Sequence, residues 1–142
     1  MIETMQVIDY GRIHERCIKA MAITRDDQYL YTSDWSGRVK QFNTRTDTMT
    51  KDFGVIHLDY IHAICLTKNG DHLYTSDRVG NLKKVSTENS YVKDFGEVME
   101  GCIVSIEMTQ NYRFYFIGTY EGELQQYCAY TDTLLKNYGK IV

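Results

Sequence analysis

The sequence predicts an all-β chain of three four-stranded antiparallel repeats, successive blades of a β-propeller that fill half or part of a ring. Three observations carry that reading. The first is a fixed period: Tyr10-Gly11 returns as Phe53-Gly54, Phe95-Gly96 and Tyr138-Gly139, at separations of 43, 42 and 43 residues, which marks a repeat architecture. The second is a set of landmarks in the same register. IKAMAIT (18–24) matches IHAICLT (61–67) and IVSIEMT (103–109), and YLYTSDWSG ending at Gly37 matches HLYTSDRVG ending at Gly80 and FYFIGTYEG ending at Gly122. The third is the absence of any helical i, i+3, i+4 apolar pattern longer than a turn. Strand-like alternation with a period near forty points to a propeller rather than a sandwich or a β-helical coil.

Each repeat resolves into four short strands. The first is apolar nearly throughout, as expected of a strand buried on both sides near a propeller axis. TRDD, TKNG or TQNY then turns the chain, with Asp, Asn and Gly supplying local hydrogen bonds or a positive φ. The second strand stops at a Ser-Asp-x-x-Gly turn in the first two repeats, where Gly37, Gly80 and Gly122 are expected to adopt angles costly for other residues. The third strand carries Val39, Leu82 and Leu124 on one face, with Phe42, Val85 and Tyr127 three residues further along. The fourth is the most polar, fitting an outer edge in solvent. The repeats run approximately over 9–51, 52–93 and 94–136 of a single segment, 1–142, with 1–8 and 137–142 as partial repeat edges. Residues 3–11 read as a fourth strand without a preceding blade, and 137–142 copies the opening of a new repeat.

These residues resemble the WD-repeat family over almost the whole chain. His14 and His57 stand four residues before Ile18 and Ile61, the family's spacing between its His and its first strand, and Met99 takes that place in the third repeat. Thr24-Arg25-Asp26-Asp27 and Thr67-Lys68-Asn69-Gly70 echo the family's Ser-Pro-Asp-Gly corner. The resemblance implies a buried network of Trp, Ser or Thr, His and Asp. Its usual form is not available: Ser36, Val79 and Glu121 replace the turn Asp, and Phe42, Val85 and Tyr127 replace the closing Trp. Asp34 and Asp77 are positioned to offer His14 and His57 a carboxylate instead, so these four residues and the three turn glycines are read as structural.

Composition bounds the function. Sixteen Lys and Arg scattered among 19 Asp and Glu give a net charge of −3, with no basic stripe for a phosphate backbone, so nucleic acid is not an expected partner. No apolar run approaches a membrane span or a signal sequence, which predicts an intracellular, cytoplasmic protein. Cys17, Cys65, Cys102 and Cys128 lack metal-ligand spacing, and the histidines lack convergent co-ligands, so no metal or other cofactor is expected. His62 and His72 are lone strand residues and are assigned nothing. No nucleophile elbow, phosphate loop or zinc-protease motif is present, and acids such as Asp52 and Asp94 recur at equivalent turns, as structural groups do. The chain is read as a non-enzyme.

The turn after each second strand and the loop before each first strand should emerge on one end of the ring, where family members usually grip partners. Trp35, Arg78 and Tyr120 occupy the three equivalent turns, with Arg16, Asp59 and Tyr60 in the neighbouring loops. Trp, Tyr and Arg are the types enriched at interface hot spots. The expected function is a protein-interaction scaffold of WD-repeat type that binds a protein or peptide through this end. The alternative is a small-ligand or carbohydrate-binding propeller with pockets between blades lined by Tyr31, Tyr74 and Phe116. Three blades leave two faces bare, so either a homodimer closes a six-bladed ring, or the chain is part of a larger propeller, or a partner supplies the rest.

Overall fold

The computed structural model describes residues 6–141. Among these residues twelve strands form three sheets, each built in chain order from four consecutive strands. The first sheet holds β1 (Ile18–Ile23), β2 (Tyr29–Asp34), β3 (Arg38–Asn43) and β4 (Thr48–Val55). The second holds β5 (Ile61–Leu66), β6 (His72–Asp77), β7 (Asn81–Ser86) and β8 (Val92–Glu97). The third holds β9 (Ile103–Met108), β10 (Phe114–Thr119), β11 (Glu123–Cys128) and β12 (Thr133–Lys140). All pairings are antiparallel. β4 straddles the repeat boundary at 51/52, so the sheets are offset from the sequence repeats. The inner strands β1, β5 and β9 line up beside one another.

The turns form where short polar residues cap them. Thr24 Oγ1 donates to Asp26 Oδ1 at 2.6 Å, and the corner closes through a left-handed residue, Asp27 (φ +61°), Gly70 (+70°) or Tyr112 (+57°). In the fourth strands a second device recurs. Gly54, Gly96 and Gly139 have φ of +77°, +73° and +68°, and each donates its amide to the side-chain oxygen two residues back, on Asp52, Asp94 or Asn137. The register skips one residue there, so Phe53, Phe95 and Tyr138 are bulged out of the ladder.

Because strand side chains alternate, each sheet has a trailing side, toward the preceding sheet, and a leading side, toward the next. Two cores lie in the two seams. Tyr31 and Val39 on the leading side of the first sheet pack with Ile61, Ile64, Leu66, Leu73 and Val85 on the trailing side of the second. Tyr74 and Leu82 pack with Ile103, Ile106, Tyr115, Ile117 and Tyr127 of the third. Polar groups close the second seam: Asp132 accepts from Tyr74 Oη at 2.6 Å and Lys84 Nζ at 3.0 Å.

Three expectations change. The first strands are not uniformly buried: Ile61, Ile64 and Leu66 are at most 9% exposed, whereas Ile18, Met21 and Ile23 at the matching places are 41%, 63% and 49% exposed, because no sheet of the described residues lies on that side of β1. The proposed strand at 3–11 is not a strand over its described residues, 6–11, and Glu3–Met5 lie outside them. Strand geometry needs a neighbour to bond, and the described residues offer none. Asn137 to Lys140 complete β12 rather than opening a new repeat, because β11 offers them a ladder; Val142 lies outside the described residues.

Gly37 and Gly54 separate two reasons for a glycine. A Cβ on Gly37 (φ +85°) would lie 1.8 Å from the carbonyl oxygen of His57, whereas one on Gly54 meets nothing within 4 Å. Gly37→Ala should therefore cost about 3 kcal/mol or more, and Gly54→Ala only the left-handed penalty of about 1 kcal/mol. Urea unfolding of the two variants measures this, and equal losses would contradict the clash.

Candidate functional site

The loop end is built on a buried polar device that occurs twice. His14 Nδ1 lies 2.7 Å from Asp34 Oδ2 and its Nε2 2.6 Å from Thr32 Oγ1. His57 repeats this with Asp77 at 2.9 Å and Thr75 at 2.7 Å. All six residues are buried. Each ring thus ties the loop before a sheet to the end of that sheet's second strand. The other carboxylate oxygen caps the following turn: Asp34 Oδ1 accepts from the amides of Ser36 and Arg38, and Asp77 Oδ1 from those of Val79 and Asn81.

In the third sheet all three members change together. Met99 and Ile117 are buried where His and Thr stand elsewhere, and Thr119 replaces the Asp, its Oγ1 still accepting from the Glu123 amide at 3.1 Å. An apolar contact fills the place of the ring, and turn capping survives. Gly80 keeps its own constraint, since a Cβ there would lie 1.9 Å from Met99 O. Gly122 shares the positive φ, at +92°.

On this frame the turns and loops meet as pairs. Trp35 N donates to Cys17 O, Arg78 N to Tyr60 O and Tyr120 N to Cys102 O. Four of the six sequence candidates come together at the first seam. Trp35 stacks on Tyr60 with ring centroids 5.0 Å apart and planes at 20°. The Arg78 guanidinium lies 5.1 Å from the centre of the Tyr60 ring and forks onto Asp59, Nε to Oδ1 at 3.0 Å and Nη2 to Oδ2 at 3.1 Å. That fork, with the Tyr60 amide, holds the Asp59 carboxyl below its ordinary range. His62 meets Tyr60 edge-on, and burial, with Lys19 nearby, lowers its pKa. Arg16 lines a groove beside the first sheet with Asp34, Arg38 and Asp52, and Tyr120 stands 83% exposed on the third; neither joins the cluster.

Tyr31 and Tyr74, read as lining pockets between blades, are 2% and 0% exposed and pack in the seams; Tyr31 also borders a hollow between the first two blades, and Tyr74 does not. Burial, and for Tyr74 the Asp132 carboxylate, raises their phenols. Phe116 is on the leading side of the third sheet, which no other sheet of the described residues covers.

No family model matches the chain, and no curated protein matches it. Among solved structures it is similar to the crystal structure of the computationally designed Ika4 protein, with a TM-score of 0.71 and 15% identity, covering 88% of this chain and 74% of that one. The crystal structure of the computationally designed Ika8 protein gives a TM-score of 0.72 at 15% identity over 89% of this chain, which spans only 38% of that one. The three sheets are blades of a β-propeller. Likeness at this identity shows the fold alone.

Sequence reasoning missed Leu58 and Val79, 100% and 43% exposed, which share a groove with Asp59. A signal for both was present. Leu58 stands where the other blades have Glu15 and Glu100, and Val79 where they have Ser36 and Glu121. It also missed Thr32 and Thr75, which look like ordinary strand residues until the histidines are placed above them.

Asp77 sets an acid dependence. Burial alone would raise its carboxyl, but the hydrogen bond from His57 and those from Asn81 hold it down at about 2. The folded value lies below the unfolded one of about 3.9, so the stabilisation is fully present above that value and is lost as pH falls toward 2. Wild type should lose on the order of 2 kcal/mol more than Asp77→Asn between pH 4 and pH 2, read from urea midpoints. Parallel pH profiles would show that the carboxylate is not held this way.

Proposed function

We propose that this chain is a non-enzymatic interaction scaffold of WD-repeat type, which takes a protein or peptide on the loop end at the seam of its first two blades. The observation that carries the reading is the Trp35–Tyr60 stack with Arg78 on the same ring, with exposed Leu58 and Val79 in a groove they share with Asp59. Exposed apolar groups gathered at one place on a rigid frame mark interaction sites. Trp and Tyr bring large contact area with few rotors, and Arg78 keeps N–H groups free beyond its fork to Asp59. The ligand favoured by this chemistry is a segment with a large apolar or aromatic side chain to lay against Trp35 and Leu58. A role in the cytoplasm is part of the same proposal. A hollow of about 730 Å³ between the first two blades, lined by Arg25, Tyr29, Tyr31 and Lys68 among others, opens elsewhere and is where the small-ligand alternative would act.

A random-peptide display selection against the chain tests this. Enriched peptides should carry aromatic or large aliphatic residues, and Trp35→Ala or Leu58→Asp should weaken them by roughly thirtyfold, the effect of a 2 kcal/mol hot spot. Tyr120→Ala should leave them unchanged. Peptide binding indifferent to Trp35 and Leu58, together with a glycan or metabolite that raises the melting temperature, would overturn the scaffold reading.

A further inference from the structure

The two seams inside the chain are templates for a third that the described residues leave open. On the trailing side of the first blade stand Ile18, Met21 and Ile23, exposed where Ile61, Ile64 and Leu66 are buried. On the leading side of the third blade stand Phe116, Leu124, Lys136 and Tyr138. They repeat Tyr74, Leu82, Lys93 and Phe95, which face the third blade from the second. The two open sides are therefore the two halves of one kind of contact.

Charge matches along with shape. In the second seam Lys84 and Lys93 reach Asp132, the left-handed residue of the turn before β12, at 3.0 Å and 3.7 Å. The equivalent turn residue of the first blade is Asp47, with φ of +56° like that of Asp132. Of the two lysines, Lys93 has its equivalent in Lys136 of the third blade, exposed and resting over the Tyr138 ring at 4.8 Å as Lys93 rests over Phe95 at 5.0 Å, while Gln126 stands where Lys84 does. One open side presents the cation and the other the carboxylate.

A local segment now occupies the place of the missing neighbour. Gly11 has φ of +74° and donates to Asp9 Oδ1 at 2.7 Å, the same device as in the three fourth strands, but with no strand of the described residues beside it. It presents Tyr10 as the bulges present Phe53, Phe95 and Tyr138. Tyr10 packs edge-on against Phe42 at 5.0 Å and donates to Asp47 at 2.8 Å. Residues 9–11 therefore mimic the end of a preceding blade's outer strand.

We propose that a second copy of this chain covers these open sides, the third blade of each copy docking on the first blade of the other. Tyr138 displaces the other copy's Tyr10 from Phe42, and Lys136 takes up Asp47. The contact is made twice, head to tail, and closes a six-bladed ring. On the leading side Ser105 and Glu107 stand where Ala63 and Cys65 do, so the apolar cover comes from Phe116, Leu124 and Tyr138.

Sedimentation velocity of the full chain over a range of concentrations tests this. The expected species has twice the 16.6 kDa mass of the chain. Lys136→Glu, on an exposed site, should weaken it on the order of tenfold by setting like charges together at both contacts. Adding Asp47→Asn should recover most of the loss, because Asn tolerates the left-handed φ and removes the repulsion. Tyr10→Ala should tighten the dimer by freeing Phe42. A monomer at all concentrations, an open-ended series of larger species, or a dimer insensitive to Lys136→Glu would each overturn the proposal.

Discussion

Covering the flat sides of the sheets is the constraint from which the rest of the molecule follows. A sheet of four short strands has two apolar sides and no chain of its own to cover either. Burial of an aliphatic side chain is worth about 1.5–3 kcal/mol, and the seam between the first two blades places Ile61, Ile64, Leu66, Leu73 and Val85 out of water at once. Once the sides meet, every polar group in the seam must find a partner, because an unpaired one forfeits about 1–3 kcal/mol. Asp132 meets this requirement in the second seam by gathering Tyr74, Lys84 and Lys93. Among the described residues no buried side-chain nitrogen or oxygen is left without a partner.

The same repeat position is solved in two chemistries. In the first two blades an imidazole bridges a carboxylate and a threonine hydroxyl; in the third, Met99 and Ile117 meet as apolar surfaces and Thr119 keeps only the turn cap. The exchange is coherent because a half-made network would be worse than either solution: Asp at 119 without an imidazole would bury a carboxylate facing methionine. Replacement of all three members keeps each blade locally consistent.

The period, the strands and the turns were legible in the sequence because each is decided within a few residues, by alternation, by Gly37 and Gly80, or by the Asp-Phe-Gly bulge. Asp34 and Asp77 were legible as partners of the histidines because both lie at fixed offsets inside one repeat. What crosses a seam was not legible. Trp35 meets Tyr60 only because one blade's turn abuts the next blade's loop, and Asp132 reads as an ordinary turn residue until a neighbour brings lysines to it. Residues 9–11 show the limit from the other side. The local sequence imposes the same bulge backbone as in β4, but a strand requires a ladder partner, and local chemistry cannot supply one.

The seam also explains why the aromatic cluster stands where it does. Trp35 follows Asp34, whose carboxylate caps its turn and grips His14, and Tyr60 follows His57, which is locked to Asp77 and Thr75. The chain before Tyr60 is fixed further by Gly37, whose carbonyl accepts from the Ile56 amide at 2.7 Å. Both sides of the stack are thus anchored by buried hydrogen bonds on either side of a close-packed core, so little rotor or loop freedom remains to be lost when a ligand arrives. The third blade lacks that double anchor at its turn, where an apolar contact replaces the imidazole and Tyr120 projects into solvent. Rigidity, as much as residue type, separates the seam of the first two blades from the otherwise equivalent positions around it.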